Sequence, residues 1–198
     1  MHAYIDIETL ATPPNYHGVI TEIGAIVFDE TKPDPETGFV IADRFRMDLS
    51  ILDQILLGRY ICPETVAHRK SNGTLPMDWT HGYSPSAAVG TLSAFLHRHP
   101  ITHLWIWGKD FDGPFLSSLF HLAGHSKFPI PYWSTSCGRD TWKLAFGRDS
   151  KPAKRIHHAL DDCIASLRDL ASSLTHLNRN PSTPCPEPCS SSSSPHSA

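Results

Sequence analysis

Apolar and polar residues alternate along the first fifty positions in a way that predicts β-strands. A strand over 3–7 is followed by an apolar run over 19–28 and by a third strand over 40–49, where apolar and charged residues take turns. The segment 29–38 holds two prolines and a glycine and therefore predicts a loop. We expect the chain to begin with a three-stranded meander.

The rest of the chain alternates helical and strand patterns. Apolar residues recur at helical spacing over 85–97, 115–122 and 159–174, and the almost wholly apolar run 103–108 suits a central buried strand. Shorter elements are also predicted: a helix that opens with Pro63, a strand over 132–137 and a helix over 140–146. This order predicts an α/β fold, a mixed sheet with helices on both faces.

Composition indicates one globular domain followed by a polar tail. The chain has 198 residues, of which 40% are apolar, enough to bury a core without disulfides or a structural metal. Residues 178–198 contain five prolines and seven serines, so we expect an ordered domain over 1–177 and a disordered tail over 178–198. Cys185 and Cys189 in this tail have the spacing of half a zinc site, but no second pair lies nearby.

The same figures exclude several classes of protein. No stretch approaches the roughly 20 apolar residues of a membrane helix, and the first residues lack the features of a secretory signal. The five cysteines are odd in number and irregularly spaced, so we expect a reducing, cytoplasmic location. The net charge of −3 lacks the basic excess of proteins that grip long duplex DNA, so any nucleic acid is expected to be bound over a short stretch.

Acidic residues in three distant segments are the candidates for chemistry, and the first segment is the predicted N-terminal strand. Asp6 and Glu8 lie two apart, so their carboxylates share one face of the strand while the neighbouring isoleucines take the other. Like charges on one face are unfavourable unless a cation neutralises them. A solvent-facing strand is the alternative interpretation of this pair.

The other two acidic segments lie at predicted helix starts. Asp112 follows the predicted central strand, where α/β sheets usually build their sites; Asp110 is a weaker rival, and helix capping is the alternative for both. His157 and Asp162 lie at the start of the last helix, where acids also complement the helix dipole. Asp162 lies roughly 140° from the centre of the apolar stripe, so it faces either solvent or a cleft at the rim of the sheet.

These segments form three motifs: Asp6-Ile7-Glu8-Thr9-Leu10, Phe111-Asp112, and His157 with Asp162 five residues later. Together they resemble the motifs of the DnaQ-like, or DEDDh, family of 3'→5' exonucleases. The resemblance covers residues 1 to about 175. Pro63-Glu64-Thr65-Val66-Ala67 and the ending Ala159-Leu160-Asp161-Asp162 are especially similar to a branch with exoribonucleases of the mycobacterial type, close to RNase T and oligoribonuclease in fold. Relatives often have a longer turn where this chain has Lys109-Asp110.

The resemblance implies a ribonuclease H-like sheet of five strands, with the second antiparallel to the others, and a two-metal hydrolase. Asp6, Glu8, Asp112 and Asp162 would be the metal ligands. Their hard oxygens suit two Mg²⁺ or Mn²⁺ ions, which would turn the net charge of −3 into +1. His157 would be the general base, whereas we expect its neighbour His158 to be dispensable.

The resemblance also implies a substrate. Thr9 and Leu10 would lie beside the 3'-terminal nucleotide, and Trp107 or Phe111 would stack on a base unless they belong to the core. We expect a 3'→5' exonuclease that acts on single-stranded 3' ends, with RNA favoured, and releases nucleoside 5'-monophosphates. A DNA exonuclease of the proofreading or repair type and a non-catalytic nucleic-acid-binding module are the alternatives. Relatives are often homodimers, which leaves a homodimer open, although the sequence shows no dimer face.

Overall fold

Five strands and six α-helices form an α/β fold in the residues that the computed structural model describes, which are 1–150, 152 and 155–179. The strands are β1 (His2–Thr9), β2 (Ile20–Asp34), β3 (Gly38–Asp48), β4 (His103–Ile106) and β5 (Thr135–Cys137). The helices are α1 (Ile51–Leu56), α2 (Pro63–Ser71), α3 (Pro85–His97), α4 (Asp112–Leu122), α5 (Gly138–Phe146) and α6 (Ala159–Arg179). Among these described helices, none is both long and apolar enough to cross a membrane.

The strands form one mixed sheet in the order β3-β2-β1-β4-β5. β2 runs antiparallel to both of its neighbours, whereas β1, β4 and β5 are parallel to one another. Short connections suffice for the antiparallel strands, and the parallel strands are joined through helices. The predicted ribonuclease H-like sheet, with only its second strand reversed, is confirmed.

Helices cover both faces of this sheet, and the alternation of side chains along β1 decides which residues each face receives. Ile5 and Ile7 belong to the core that α3 and α4 complete on one face. Tyr4 packs with Cys163 and Leu167 of α6 on the other face. Because successive side chains in a strand point to opposite faces, Asp6 and Glu8 share the α6 face with Tyr4.

The predicted loop over 29–38 is wrong, because β2 continues to Asp34 and only three residues separate it from β3. The Asp34 carboxylate closes this turn by accepting hydrogen bonds from the amides of Glu36 (2.9 Å) and Thr37 (2.7 Å). The strand pairing is irregular between Asp29 and Pro33, which accommodates a proline that cannot donate to the ladder.

The other predicted elements agree with the structure to within a few residues. The helix over 85–97 is confirmed, as is the helix that opens with Pro63, whereas α1 is not predicted. Of the strand expected over 132–137, only the last three residues are β5, because a short 3-10 helix (Tyr132–Ser134) comes first. α6 extends to Arg179, so the first two residues of the expected tail are helical; the rest of the tail, with Cys185 and Cys189, lies outside the described residues.

Candidate active site

A cleft of about 320 Å³ opens where β1 and β4 end, and it collects the acids of all three sequence segments. Asp6, Glu8, Asp112, Asp162 and His157 line it together. Other lining residues come from β1, from α2 and from the segments that follow β4 and β5: Ile7, Thr9, Thr65, His68, Arg69, Asn72, Thr74, Trp107, Gly108, Phe111, Arg139 and Arg155. Folding therefore brings together residues that lie more than 150 positions apart.

The two acids of β1 are held in an unfavourable electrostatic environment. Burial, and then the neighbouring carboxylate of Asp112, raise the pKa of Asp6 well above its usual value. Burial also raises the pKa of Glu8 to about 7, although an ion pair with Arg69 (2.8 Å) opposes this shift. Both shifts show that the site disfavours the ionised carboxylates unless positive charge is added.

Asp112 is the first residue of α4 and is almost fully buried. Its Oδ2 accepts a hydrogen bond from the amide of Gly108 (3.1 Å), which orients the carboxylate toward the acids of β1. Burial raises its pKa to about 7. Asp110, the weaker rival, is 80% exposed, lies 3.5 Å from Arg139 and does not line the cleft.

The close approach of α6 to β2 places the third acidic segment. A Cβ added to Gly24 would lie 2.3 Å from the carbonyl carbon of Ala159, so only glycine allows the helix to start here. The Glu22 carboxylate then accepts a hydrogen bond from the Ala159 amide (3.0 Å) at the N-terminus of the helix. Asp162, one turn into α6, is buried in the cleft and not on the solvent side of the helix.

His157 lies in the segment that leads into α6, and Asp162 holds that segment in place. The Asp162 carboxylate accepts hydrogen bonds from the amides of Ile156 (3.0 Å) and His157 (3.1 Å). His157 has a φ of +62°, the left-handed region that non-glycine residues seldom adopt and that is often seen at functional sites. Its Nδ1 lies 3.8 Å from Oε1 of Glu8, and half of the side chain is exposed.

The donors in the cleft fit a divalent cation. One ligand atom each from Glu8, His157 and Asp162 lie within 4.8 Å of one another. Asp6 and Asp112 add carboxylates whose pKa values are raised mainly by burial and further by neighbouring carboxylates, and a bound cation would favour their ionised forms. Hard oxygen donors of this kind suit Mg²⁺ or Mn²⁺.

Three arginines line the cleft that sequence reasoning does not identify: Arg69, Arg139 and Arg155. Arg69 is buried and joins α2 to β1 through Glu8 and through the Thr9 carbonyl (3.2 Å). Arg155 lies over the ring of Trp107 at 4.3 Å and is paired with Asp169. Only the fold shows that these cations face the carboxylates, because an arginine in the sequence is usually a surface residue.

The residues expected to contact substrate divide into two groups. Thr9, Trp107 and Phe111 line the cleft. Leu10 does not, because its side chain is fully buried with Val19 and Ile51, and its amide donates to the Val19 carbonyl (2.8 Å). The Leu10 side chain is therefore not exposed to the cleft, because the chain turns into a second small core directly after Thr9, and the expected position of Leu10 beside the 3'-terminal nucleotide stays a prediction.

Comparisons with known proteins show the family and the fold of the chain. The sequence model of one family, described as the 3'-5' exoribonuclease Rv2179c-like domain, matches residues 1–173. No curated protein is similar enough to count as a match. The nuclease domain of 3'hExo, a DEDDh family member bound to rAMP, is 13% identical, with a TM-score of 0.59 over 87% of this chain and 90% of that one.

Bacterial exonuclease I shares the fold as well. E. coli exonuclease I in complex with a dT13 oligonucleotide is 14% identical, with a TM-score of 0.62 over 90% of this chain and 42% of that one. The zinc-bound form of its complex with single-stranded DNA is 13% identical, with a TM-score of 0.61 over 92% and 41%. The present chain thus spans less than half of the exonuclease I chains, and at this identity the likeness concerns the fold.

Proposed function

The chain belongs to the Rv2179c-like 3'-5' exoribonuclease domain family, and on this premise we propose that it removes nucleotides from the 3' end of single-stranded RNA as nucleoside 5'-monophosphates. The observation that carries the proposal is the convergence of Asp6, Glu8, Asp112, Asp162 and His157 on one cleft. A binding module on the same fold would have no need of clustered acids whose ionisation the site disfavours.

We propose that the four carboxylates hold two Mg²⁺ or Mn²⁺ ions. Asp6, Glu8, Asp112 and Asp162 would hold these ions, which would supply stabilisation of the negative charge that develops during phosphodiester hydrolysis. The raised pKa values of Asp6, Glu8 and Asp112 support this assignment, because they indicate that the ionised carboxylates are unfavourable here unless a cation binds.

His157 is proposed to take the proton from the attacking water. Its imidazole is half exposed at the mouth of the cleft and lies beside Glu8 and Asp162, so a water molecule can reach it next to the metal ligands. Imidazole is the side chain that most often serves as a general base. Thr9, Trp107 and Phe111 are proposed to contact the terminal nucleotides, since they line the same cleft.

The preference for RNA is supported by the family and by the net charge of −3, which suits short single strands. DNA is the second candidate, because the exonuclease I structures contain single-stranded DNA. A cytoplasmic location is proposed from the cysteines, of which Cys62, Cys137 and Cys163 are free. A homodimer stays a proposal that the apparent mass in solution would test.

The deciding experiment follows shortening of a 5'-labelled single strand with Mg²⁺ or Mn²⁺ and with a chelator. We expect stepwise loss from the 3' end only with metal, and no cleavage by the variants Asp6→Ala and Asp112→Ala while their far-UV spectra stay unchanged. Matched RNA and DNA oligomers then give the sugar preference. Binding without shortening under every divalent metal would favour the non-catalytic module.

A further inference from the structure

The guanidinium group of Arg139 lies in the wall of the cleft and makes few polar contacts with the described part of the protein. Its Nε is buried and has no hydrogen-bond partner within the described residues, and the contact of its Nη2 with Asp110 is long at 3.5 Å. The side chain is 38% exposed, whereas Asp110 is 80% exposed, so this ion pair is weak. An arginine has donors arranged to bind a phosphate or a carboxylate, and here the two Nη groups, of which Nη2 makes only the long contact with Asp110, can donate to a ligand in the cleft.

The backbone fixes where this guanidinium lies. Arg139 is the second residue of α5, directly after β5, and its amide donates to the Trp107 carbonyl (3.2 Å). A Cβ added to Gly108 would lie 3.7 Å from Nη1 of Arg139, so the guanidinium packs over the segment whose amide orients Asp112. The cation therefore lies in the same cleft as Asp112, and its ion pair is with Asp110 and not with Asp112.

The order of the strands gives the position of Arg139 relative to the chemistry. His157 enters from the β2 side of the cleft, because α6 starts against Gly24. Asp6 and Glu8 lie at the end of β1, Asp112 follows β4, and Arg139 follows β5 at the other end of the row. In an in-line displacement the leaving oxygen departs on the side opposite the attacking water. With His157 on the water side, the retained strand must lie toward β5, where Arg139 stands.

We propose that Arg139 binds the first phosphate on the 5' side of the scissile bond and so positions the strand that remains after cleavage. This assignment rests on the proposed function and adds a substrate-binding residue to it. Asp110 competes for the same guanidinium, since it is the acidic side chain that Arg139 contacts in the free protein. The contact with Asp110 is exposed and long, so a phosphate displaces it readily.

The test combines Arg139→Met with an RNA oligomer in which the first phosphate 5' to the scissile bond is a neutral methylphosphonate. We expect Arg139→Met to lower kcat/KM for the first cleavage about tenfold or more, as one charge-assisted contact would. The methylphosphonate should cause a similar loss in the wild type and little further loss in the variant. Losses that multiply, or an unchanged kcat/KM in Arg139→Met, would overturn the assignment.

Two further variants, Arg98→Met and Asp110→Asn, serve as controls for the effect of Arg139→Met. Arg98→Met is the matched control, because Arg98 is also an exposed arginine with a long carboxylate contact (3.4 Å to Asp43) but lies outside the cleft; its kcat/KM should not change. Asp110→Asn should raise kcat/KM for the normal oligomer at most a few fold, because the ion pair that it removes is weak. If Arg139→Met does not fold, Arg139→Gln replaces it: a loss of kcat/KM that the methylphosphonate abolishes supports the proposal, and equal losses on both oligomers contradict it.

A binding measurement distinguishes failure of the proposed function from failure of the proposed phosphate contact. Equilibrium binding of both oligomers is measured by fluorescence anisotropy in an Asp112→Asn background. A wild type that cleaves nothing refutes the exonuclease, while a loss of affinity on Arg139→Met that the methylphosphonate abolishes still supports the phosphate contact. Equal affinities for the two oligomers, with and without Arg139, refute the contact even if the wild type cleaves RNA.

Discussion

Replacing Asp112 with asparagine is expected to stabilise the metal-free protein. Asparagine keeps the size of the side chain and an oxygen that can accept the hydrogen bond from the Gly108 amide (3.1 Å). It removes the charge that is both buried and repelled by the neighbouring carboxylates of the site. An active-site acid is retained at the expense of stability, so its removal should raise the free energy of unfolding.

The expected gain depends on pH. Burial raises the pKa of Asp112 from 3.8 to about 7, so between these values the folded protein holds a proton that the unfolded chain has lost. The stability of the wild type therefore falls as pH rises through this window, and the full penalty is present above pH 7. At 1.36 kcal/mol per pKa unit the penalty is about 4 kcal/mol, or roughly 8–16 °C in Tm for a chain of this size.

The assay is thermal unfolding of chelator-treated protein at pH 5 and at pH 8.5. Asp112→Asn should melt well above the wild type at pH 8.5, and the difference in Tm should fall to less than half at pH 5, where about 1.7 kcal/mol of the penalty remains. Added Mn²⁺ should raise the Tm of the wild type at pH 8.5 and so reduce the difference in Tm between the wild type and Asp112→Asn. Asp169→Asn is the control, because Asp169 is also buried but is ion-paired to Arg155 (2.9 Å), and its replacement should lower Tm. A variant Asp112→Asn that melts at or below the wild type at pH 8.5 would refute the reasoning.

Three further predictions concern other parts of the molecule. His157→Gln should slow cleavage about 10²- to 10⁴-fold, whereas His158→Gln should change it less than about threefold; equal losses would contradict the assigned base. Gly24→Ala should lower both Tm and cleavage rate, since its Cβ would clash at 2.3 Å with the first residues of α6, while Gly90→Ala in α3, with nothing within 4 Å, should leave both unchanged or raise Tm slightly. Removal of residues 180–198 should leave cleavage unchanged, and a slower truncated enzyme would assign the tail a role in binding.

The sequence predicts the site acids better than it predicts their surroundings. Asp6 and Glu8 could be assigned to one face because the period of a strand is two and isoleucines mark the opposite face. Helix periodicity shows that Asp162 avoids the apolar stripe, but it does not show whether solvent or a cleft lies on that side of the helix. Only the packing of α6 on Gly24 decides between the two.

Local sequence patterns do not identify residues whose role depends on partners that are distant in the sequence. Arg69 lies 61 positions from Glu8 in sequence, and nothing around it distinguishes it from a surface arginine. Leu10 stands within the recognised motif, yet the chain turns into the core at that residue and its side chain is buried. The hairpin turn at Asp34 depends on its own side-chain hydrogen bonds, so composition alone suggests a longer loop.

The Asp162 carboxylate accepts hydrogen bonds from two backbone amides, and this has a practical consequence for mutagenesis of the protein. A substitution of Asp162 has two effects. It removes a carboxylate that could bind a metal ion, and it removes the hydrogen bonds that hold the backbone of His157 in its left-handed conformation. Inactivity of such a variant thus says little about ion binding by itself. Asp6 and Asp112 are the cleaner positions at which to separate loss of a cation from loss of the proposed proton acceptor, His157.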